Sequence, residues 1–241
     1  TTVHGFYSVN FYSAIMTRGE RVIAVSESVK AYILNHYPQV APEIIRVIHR
    51  GVDTDCYQPG GRPDEAWLAR WRAEHPELEG RVVLLMPGRL TRWKGQEDFL
   101  QVVRRLLDAG MSVHGVLAGG AHAKKRAFVD ELEQMMADLG LTERVTMLGH
   151  RSDLRQIMEV SDLVFSLSRD PEAFGRVSLE AMALGKPVVG YAHGGVGEQL
   201  AAIFPQGAVE PKSVEQATEA TQRILRERLT PGSVDDFRLE K

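Results

Sequence analysis

Cysteine is nearly missing from this 241-residue chain. The one copy, Cys56, rules out an internal disulfide, and the eight histidines are scattered, so no Cys/His group has zinc spacing. Both features fit a reducing, cytosolic setting. Neither charge is in excess: 29 Lys plus Arg stand against 32 Asp plus Glu, a formal net charge of −3, so nothing global points to a nucleic-acid partner. No apolar run approaches the roughly 18 residues of a membrane span, and the first residues lack the charged-then-apolar order of a signal peptide. Internal repeats and low-complexity tracts are also missing. So are two phosphate-binding loops. There is no G-x-x-x-x-G-K-[ST], and "GGVGEQ" is not a G-x-G-x-x-G placed after the first strand, which argues against P-loop NTPases and the common dehydrogenases. What is present, 44% hydrophobic and 25% charged residues, is ordinary globular material with apolar content for one or two cored domains.

The opening "TTVHGFYSVN" has no methionine and reads as a short buried strand. Only about two strand–helix units fit ahead of "RGVD" (50–53), and the closing "PGSVDDFRLEK" has no packing logic as a chain end, so sequence is expected to be missing at both ends. "RVIAVS" (21–26) predicts a strand. A helix over 26–37 follows, with Ser26 as N-cap and Val29, Tyr32, Ile33 and Tyr37 on one face. "IIRVIHRGV" (44–52) predicts another strand running into Gly51, and a domain boundary is placed after it, dividing the chain into 1–52 and 53–241. Beyond it, strands over 81–88, 113–119, 144–149, 162–168 and 187–192 alternate with helices over 95–110, 121–140, 152–160 and 175–185. The helix over 95–110 carries Phe99, Val102, Val103, Leu106 and Leu107 at helical spacing. This regular alternation predicts an α/β fold, a Rossmann-like doubly wound parallel sheet, with a partial Rossmann-like domain ahead of it.

Open parallel sheets bind ligands beyond the carboxyl ends of their strands. There the sequence places Gly88, Arg89 and Lys94 in "GRLTRWKG", Gly119 and Gly120 opening a helix, Arg151 after the strand 144–149, then "SRDPEAFG" and "HGGVGE". Glycines beside helix starts expose backbone N–H groups to an anion, and Arg89 and Lys94 add fixed positive charge, which together suit a phosphate-bearing ligand. Taken singly, each feature has a plainer explanation as a solvated loop charge, an ordinary turn or a surface glutamate. Their coincidence favours a site. Glu172 and Glu180 belong to it: Pro171 and Gly175 put Glu172 in a loop, while Glu180 lies about a turn and a half inside the next helix. Two carboxylates off one helical face can serve two parts of one ligand. Vicinal sugar hydroxyls supply donors to a carboxylate, each charge-assisted bond contributing about 1.5–3 kcal/mol.

On these residues a resemblance becomes specific. "EAFGRVSLE" resembles the Glu, seven residues, Glu motif of the retaining glycosyltransferases of family four, which have the two-domain GT-B fold. "GRLTRWKG" and "HGGVGE" resemble its neighbouring motifs in the usual order, and "RVIAVSESVK" and "VIHRGVD" resemble the end of its first domain and the crossover. The resemblance implies that Glu172 holds donor-sugar hydroxyls, Glu180 the ribose, Arg89 and Lys94 the diphosphate, and Phe174–Gly175 the sugar-diphosphate region, with Gly88, Gly119 and Arg151 in the nucleotide-binding set. His4 falls where "HG" resembles an active-site segment near the donor sugar. It further implies metal-independent transfer from a nucleotide sugar, with uracil, guanine or adenine as base, and no separate cofactor. "DTD" (53–55) then belongs to a structural turn. The acceptor would be a sugar, a lipid-linked or a small molecule, in cell-surface polysaccharide, lipopolysaccharide or glycolipid synthesis at the cytoplasmic side of a membrane. The first domain's acceptor loop would lie outside this sequence, so turnover by this stretch alone is not expected. A non-hydrolysing nucleotide-sugar epimerase and a non-catalytic nucleotide-binding module are the rival readings. In "PDEAWLARWRAEHP" (63–76), Trp67, Arg70 and Trp71 form either an interfacial patch near a lipid-linked acceptor or, as expected here, a surface helix packed onto its domain.

Overall fold

A computed structural model describes residues 1–121 and 126–238. Strands β1 (Thr2–Val3), β2 (Val22–Ala24) and β3 (Ile45–Val47) pair in parallel in that order, connected through α1 (Phe11–Ala14) and α2 (Glu27–His36). Ser26 caps α2, its hydroxyl accepting the Val29 N–H at 3.1 Å. Val29, Ile33 and Tyr37 are buried on one face as expected, but Tyr32 is only half-buried, since its ring packs edge-on to Phe6 and its hydroxyl donates to the Tyr7 carbonyl. The strand expected over 44–52 is shorter than its apolar run. Pro42–Ile44 form a 3₁₀ turn, and β3 ends at Val47, with Ile48 exposed although its N–H still donates to the Ala24 carbonyl at 2.9 Å.

After the crossover, α3 (Glu65–Glu74) starts at Asp64, whose carboxylate accepts the Trp67 N–H. Trp67 and Trp71 are buried and stacked, with ring centroids 5.1 Å apart, so the pair packs the helix onto the domain and forms no exposed patch. The second sheet has six parallel strands: β4 (Val82–Pro87), β5 (Val113–Ala118), β6 (Val145–Gly149), β7 (Leu163–Ser166), β8 (Val188–Tyr191) and β9 (Ala208–Val209). Their order is β6-β5-β4-β7-β8-β9. Helices α4 (Gln96–Asp108), α5 (Arg126–Asp138), α6 (Leu154–Glu159), α7 (Arg176–Ala183), α8 (Gly194–Ile203) and α9 (Val214–Glu227) connect or follow them. β4 and β5 are buried nearly throughout, which is why they read as continuous apolar runs. Phe99, Val102, Val103 and Leu106 of α4 are fully buried, while Leu107 is only partly so.

Of the helix expected over 121–140, residues 122–125 lie outside the described residues, and α5 covers the rest to Asp138. The sequence reading did not delimit α8, β9 or α9. From α9 the chain returns to the crossover, where the Val52 N–H donates to the Phe237 carbonyl at 2.9 Å and Val52 pairs with Arg238. Strand order reverses between β4 and β7, so the crevice beyond their carboxyl ends is the switch point of the sheet.

Candidate functional site

Two loops meet at that switch point. The first follows β4 and is pinned across the sheet: Gly88 N–H donates to the Ala118 carbonyl and Leu90 N–H to the Gly120 carbonyl. Gly119 has to be glycine for this approach, since a Cβ there would lie 1.8 Å from the Gly88 carbonyl oxygen. A 3₁₀ turn over Arg92–Lys94 then ends at Gly95, in the left-handed region at φ +80°, where a Cβ would fall 2.0 Å from the Leu167 carbonyl oxygen of the second loop. The two loops therefore touch backbone to backbone.

This contact places Lys94 against Glu172. Lys94 Nζ lies 2.8 Å from Glu172 Oε1, with the two side chains 17% and 18% exposed, and also sits 4.4 Å from the Trp93 ring centroid. Ser168 donates its hydroxyl to the same carboxylate oxygen. Pro87, Lys94, Ser168, Glu172, Gly175 and Ser178 line one small cleft. Phe174 is buried beside it, its carbonyl accepting from Gln199, and Gly175 at φ +84° starts α7. Arg89 is exposed in the loop after β4 but is not among the residues lining that cleft, and among the described residues its guanidinium has neither an ion pair nor a hydrogen bond. An unpaired arginine and a lysine held by one carboxylate leave the crevice able to take an anion.

The remaining expected residues are placed elsewhere. Glu180 is not among the residues lining that cleft. Its Oε1 accepts from Arg176 Nη2 at 3.0 Å, and burial raises its pKa, offset in part by Arg176. The Tyr57 hydroxyl is likewise raised, first by burial and then by the charge of Glu180. Arg151 lines a different depression, with Trp67, Arg70 and Trp71, and is occupied by a two-point pair with Asp153 at 2.8 and 2.7 Å. That pair depresses Asp153 to about 2, and the Trp67 indole N–H donates to the same carboxylate. His4 is exposed just past β1, in the first sheet. Asp53 of "DTD" accepts the backbone N–H groups of Asp55 and Cys56 in a local turn. Among the described residues no group of three or more His, Cys, Asp or Glu could hold a metal, and no helix is long and apolar enough to cross a membrane.

A supporting layer escaped the sequence reading. Arg169, three residues before Glu172, donates Nε to Asp98 Oδ2 at 3.0 Å, Nη2 to Asp98 Oδ1 and Nη1 to Glu97 Oε2 at 2.7 Å. The buried Tyr191 hydroxyl donates to Asp98 Oδ2 at 2.7 Å, and burial followed by Asp98 pushes its pKa far up. His193 Nε2 lies 2.8 Å from the Ser168 carbonyl. Asp98 gives no signal in the sequence beyond a carboxylate near a helix start, where the dipole alone would account for it.

Comparison with known proteins gives the family and the fold. The glycosyl transferases group 1 family matches residues 69–236, and Glycosyltransferase Family 4 matches residues 1–56. A D-inositol 3-phosphate glycosyltransferase of Mycobacterium marinum is 30% identical over 207 residues, 85% of this chain and 42% of the relative. A second, from Catenulispora acidiphila, is 32% identical over 190 residues, 76% of this chain and 44% of the relative. A glycosyltransferase from Rickettsia africae superposes with a TM-score of 0.82 at 27% identity, over 93% of this chain and 59% of that one. Anabaena HepE in complex with UDP-glucose superposes with a TM-score of 0.77 at 27% identity, over 89% and 57%. The chain thus spans less than half the length of these two curated relatives. With the match over 69–236 taking in both loops of the switch point, the chain belongs to the glycosyl transferases group 1 family, on a GT-B fold.

Proposed function

We propose that this chain is the donor-binding part of a retaining glycosyltransferase and holds a nucleoside diphosphate sugar at the β4–β7 switch point. The observation that carries this reading is the Lys94–Glu172 pair, a cation and a carboxylate sharing one cleft on two touching loops. A diphosphate entering the crevice takes Lys94 as its partner, and the sugar's hydroxyls take Glu172, so one ligand satisfies both members of the pair. Arg89, exposed in the same loop as Lys94, is assigned as the second cation. As the glycosidic bond breaks, charge grows on the leaving diphosphate, and fixed cations there stabilise the transition state more than the ground state. Glu180 is assigned to the ribose, its half-buried carboxylate being able to accept hydroxyl donors once Arg176 swings aside. Arg151 stays assigned to the nucleotide, which requires its pair with Asp153 to open, and His4 to the donor sugar. Two relatives are named for inositol 3-phosphate, which favours a small phosphorylated polyol over a lipid-linked acceptor for the whole protein.

Calorimetry in excess chelator, with UDP, GDP, ADP and UDP-glucose, tests the reading. At least one diphosphate is expected to bind without metal, and complete loss of affinity on chelation overturns the assignment. Glu180→Ala should weaken free diphosphate and sugar donor alike by about 1.5–3 kcal/mol. Glu172→Ala should weaken only the sugar donor, and free diphosphate should bind as well or better because Lys94 is released. Equal losses for free diphosphate in both variants overturn the division of roles.

A further inference from the structure

The motif "HGGVGE" ends in a carboxylate that the site above does not use. Glu198 lies in α8, with its side chain 24% exposed, and reaches across to the unit built on the first sheet. Its Oε2 accepts the Glu27 N–H at 2.9 Å, and its Oε1 accepts both the Ser28 N–H at 2.6 Å and the Ser28 hydroxyl. Glu27 and Ser28 are the first two residues of α2, and Ser26 already caps Val29, the third. A helix leaves its first amide donors without partners. Here the local cap satisfies one and a carboxylate 170 residues away satisfies two, in the orientation the helix dipole favours.

The first turn of α8, one turn before Glu198, holds the Glu172–Phe174 loop. Gly195 N–H donates to the Glu172 carbonyl at 2.7 Å. A Cβ on Gly195 would lie 2.4 Å from Phe174 Cα, and one on Gly194, at φ +57°, would lie 2.5 Å from the Glu172 carbonyl oxygen. Beside both contacts, His49 sits 3.8 Å from Glu198 Oε2, its ring 6.3 Å from that of Phe174 and 4.9 Å from that of Phe237. A single helix therefore has the Glu172–Phe174 backbone against its first turn and the start of α2 against Glu198.

We propose that Glu198 is a positioning residue: by anchoring α8 to the start of α2 it sets the pose of the Glu172–Phe174 loop, so that recognition of the donor's sugar depends on a contact between the two units. The anchor stands on the contacts themselves, while its consequence for the sugar rests on the donor reading of the cleft.

Amide hydrogen exchange of residues 27–30 and calorimetry with UDP and UDP-glucose test it on Glu198→Ala, Glu198→Gln and Ser28→Ala. In Glu198→Ala, exchange at Glu27 and Ser28 should rise about tenfold or more, as a local opening that no longer breaks two bonds would give. UDP-glucose should weaken about three- to tenfold, while UDP changes by less than about twofold. Glu198→Gln, which keeps one acceptor oxygen, should fall between wild type and alanine on both readouts. Ser28→Ala deletes only a hydroxyl and should shift both slightly in the same direction, which keeps the test open if Glu198→Ala does not fold. Unchanged exchange in α2 overturns the anchor. Equal weakening of UDP and UDP-glucose, accompanied by a lower melting temperature, shows Glu198 to be packing only and overturns the positioning role. If the wild-type chain binds GDP or ADP instead of UDP, that diphosphate and its glucose donor replace the UDP pair; if it binds none of them, the donor reading fails, and the exchange result decides the anchor by itself.

Discussion

Lys94 and Glu172 were recognisable in the sequence as residues after strands, but their mutual contact was not. They are 78 positions apart, and the backbone touch between Gly95 and Leu167, with the Arg169 N–H donating to the Trp93 carbonyl at 2.6 Å, brings their loops together. The pair makes each residue's loss visible in stability as well as in binding. Lys94→Ala leaves a mostly buried carboxylate with the Ser168 hydroxyl as its remaining side-chain partner, which should cost about 1–3 kcal/mol. Adding Glu172→Ala removes the orphaned charge, and the double variant should recover most of that loss. Urea melts of the two single variants and the double variant measure the coupling. Additive losses would mean that the two groups are hydrated independently and the cleft is wetter than its geometry indicates. Arg89, exposed and without a side-chain partner among the described residues, should show no such stability effect and act on the ligand alone.

At the level of elements, one carboxylate ties α4, β8 and the loop after β7 into a unit. Asp98 is 4% exposed, whereas the Arg169 side chain that pairs with it is 32% exposed, and this asymmetry makes the two deletions unequal. Arg169→Met strands a buried charge with the Tyr191 hydroxyl as its remaining side-chain donor, and should cost about 3–5 kcal/mol. Asp98→Asn leaves an arginine that can turn to water and to Glu97, and should cost less, about 1–3 kcal/mol. Denaturant titration ranks the two, and the reverse order would show that Asp98 is reached by water once its partner is gone. None of this was legible in advance, because a polar network has no period. The strands β4, β5, β7 and β8 were legible for the opposite reason, burial on both faces giving unbroken apolar runs. α8 was hidden by Gly194, Gly195 and Gly197, which read as a turn. α9 was hidden because its buried face is built of Ala217, Thr218, Ala220 and Thr221, residues too small or too polar to draw an apolar stripe, leaving Ile224 as its one large buried residue. The run over 44–52 misled in the other direction, since apolar residues there continue past the point where the strand stops.

Across the whole molecule, polar chemistry occurs at both ends of the large sheet. The crevice lies beyond the carboxyl ends of β4 and β7, while a second polar chain lies toward the strands' amino ends. There Arg81 donates to His114 Nδ1 at 3.1 Å, which fixes the proton on Nε2. Nε2 then donates to Thr146 Oγ1 at 2.9 Å, and Thr146 donates on to Glu77 Oε1 at 3.1 Å. Burial, followed by the charge of Arg81, holds His114 down at about 4. The sign follows from proton counting. Above about pH 6.5 the ring is neutral whether the chain is folded or not, so the whole of its contribution is present there. As pH falls from about 6.5 toward 4, the unfolded chain takes up a proton that the folded chain refuses, and stability is lost at up to about 1.4 kcal/mol per pH unit. Asp153, held at about 2, adds a further loss only below the ordinary aspartate range near 4. Between pH 6.5 and 4.5 the decline in melting temperature should therefore depend on His114. His114→Asn, which cannot titrate, should be less stable than wild type at pH 7 and show a flatter slope, so that the two curves converge on acidification. Parallel curves over that interval would place the proton uptake on other groups and leave His114 a silent member of the core.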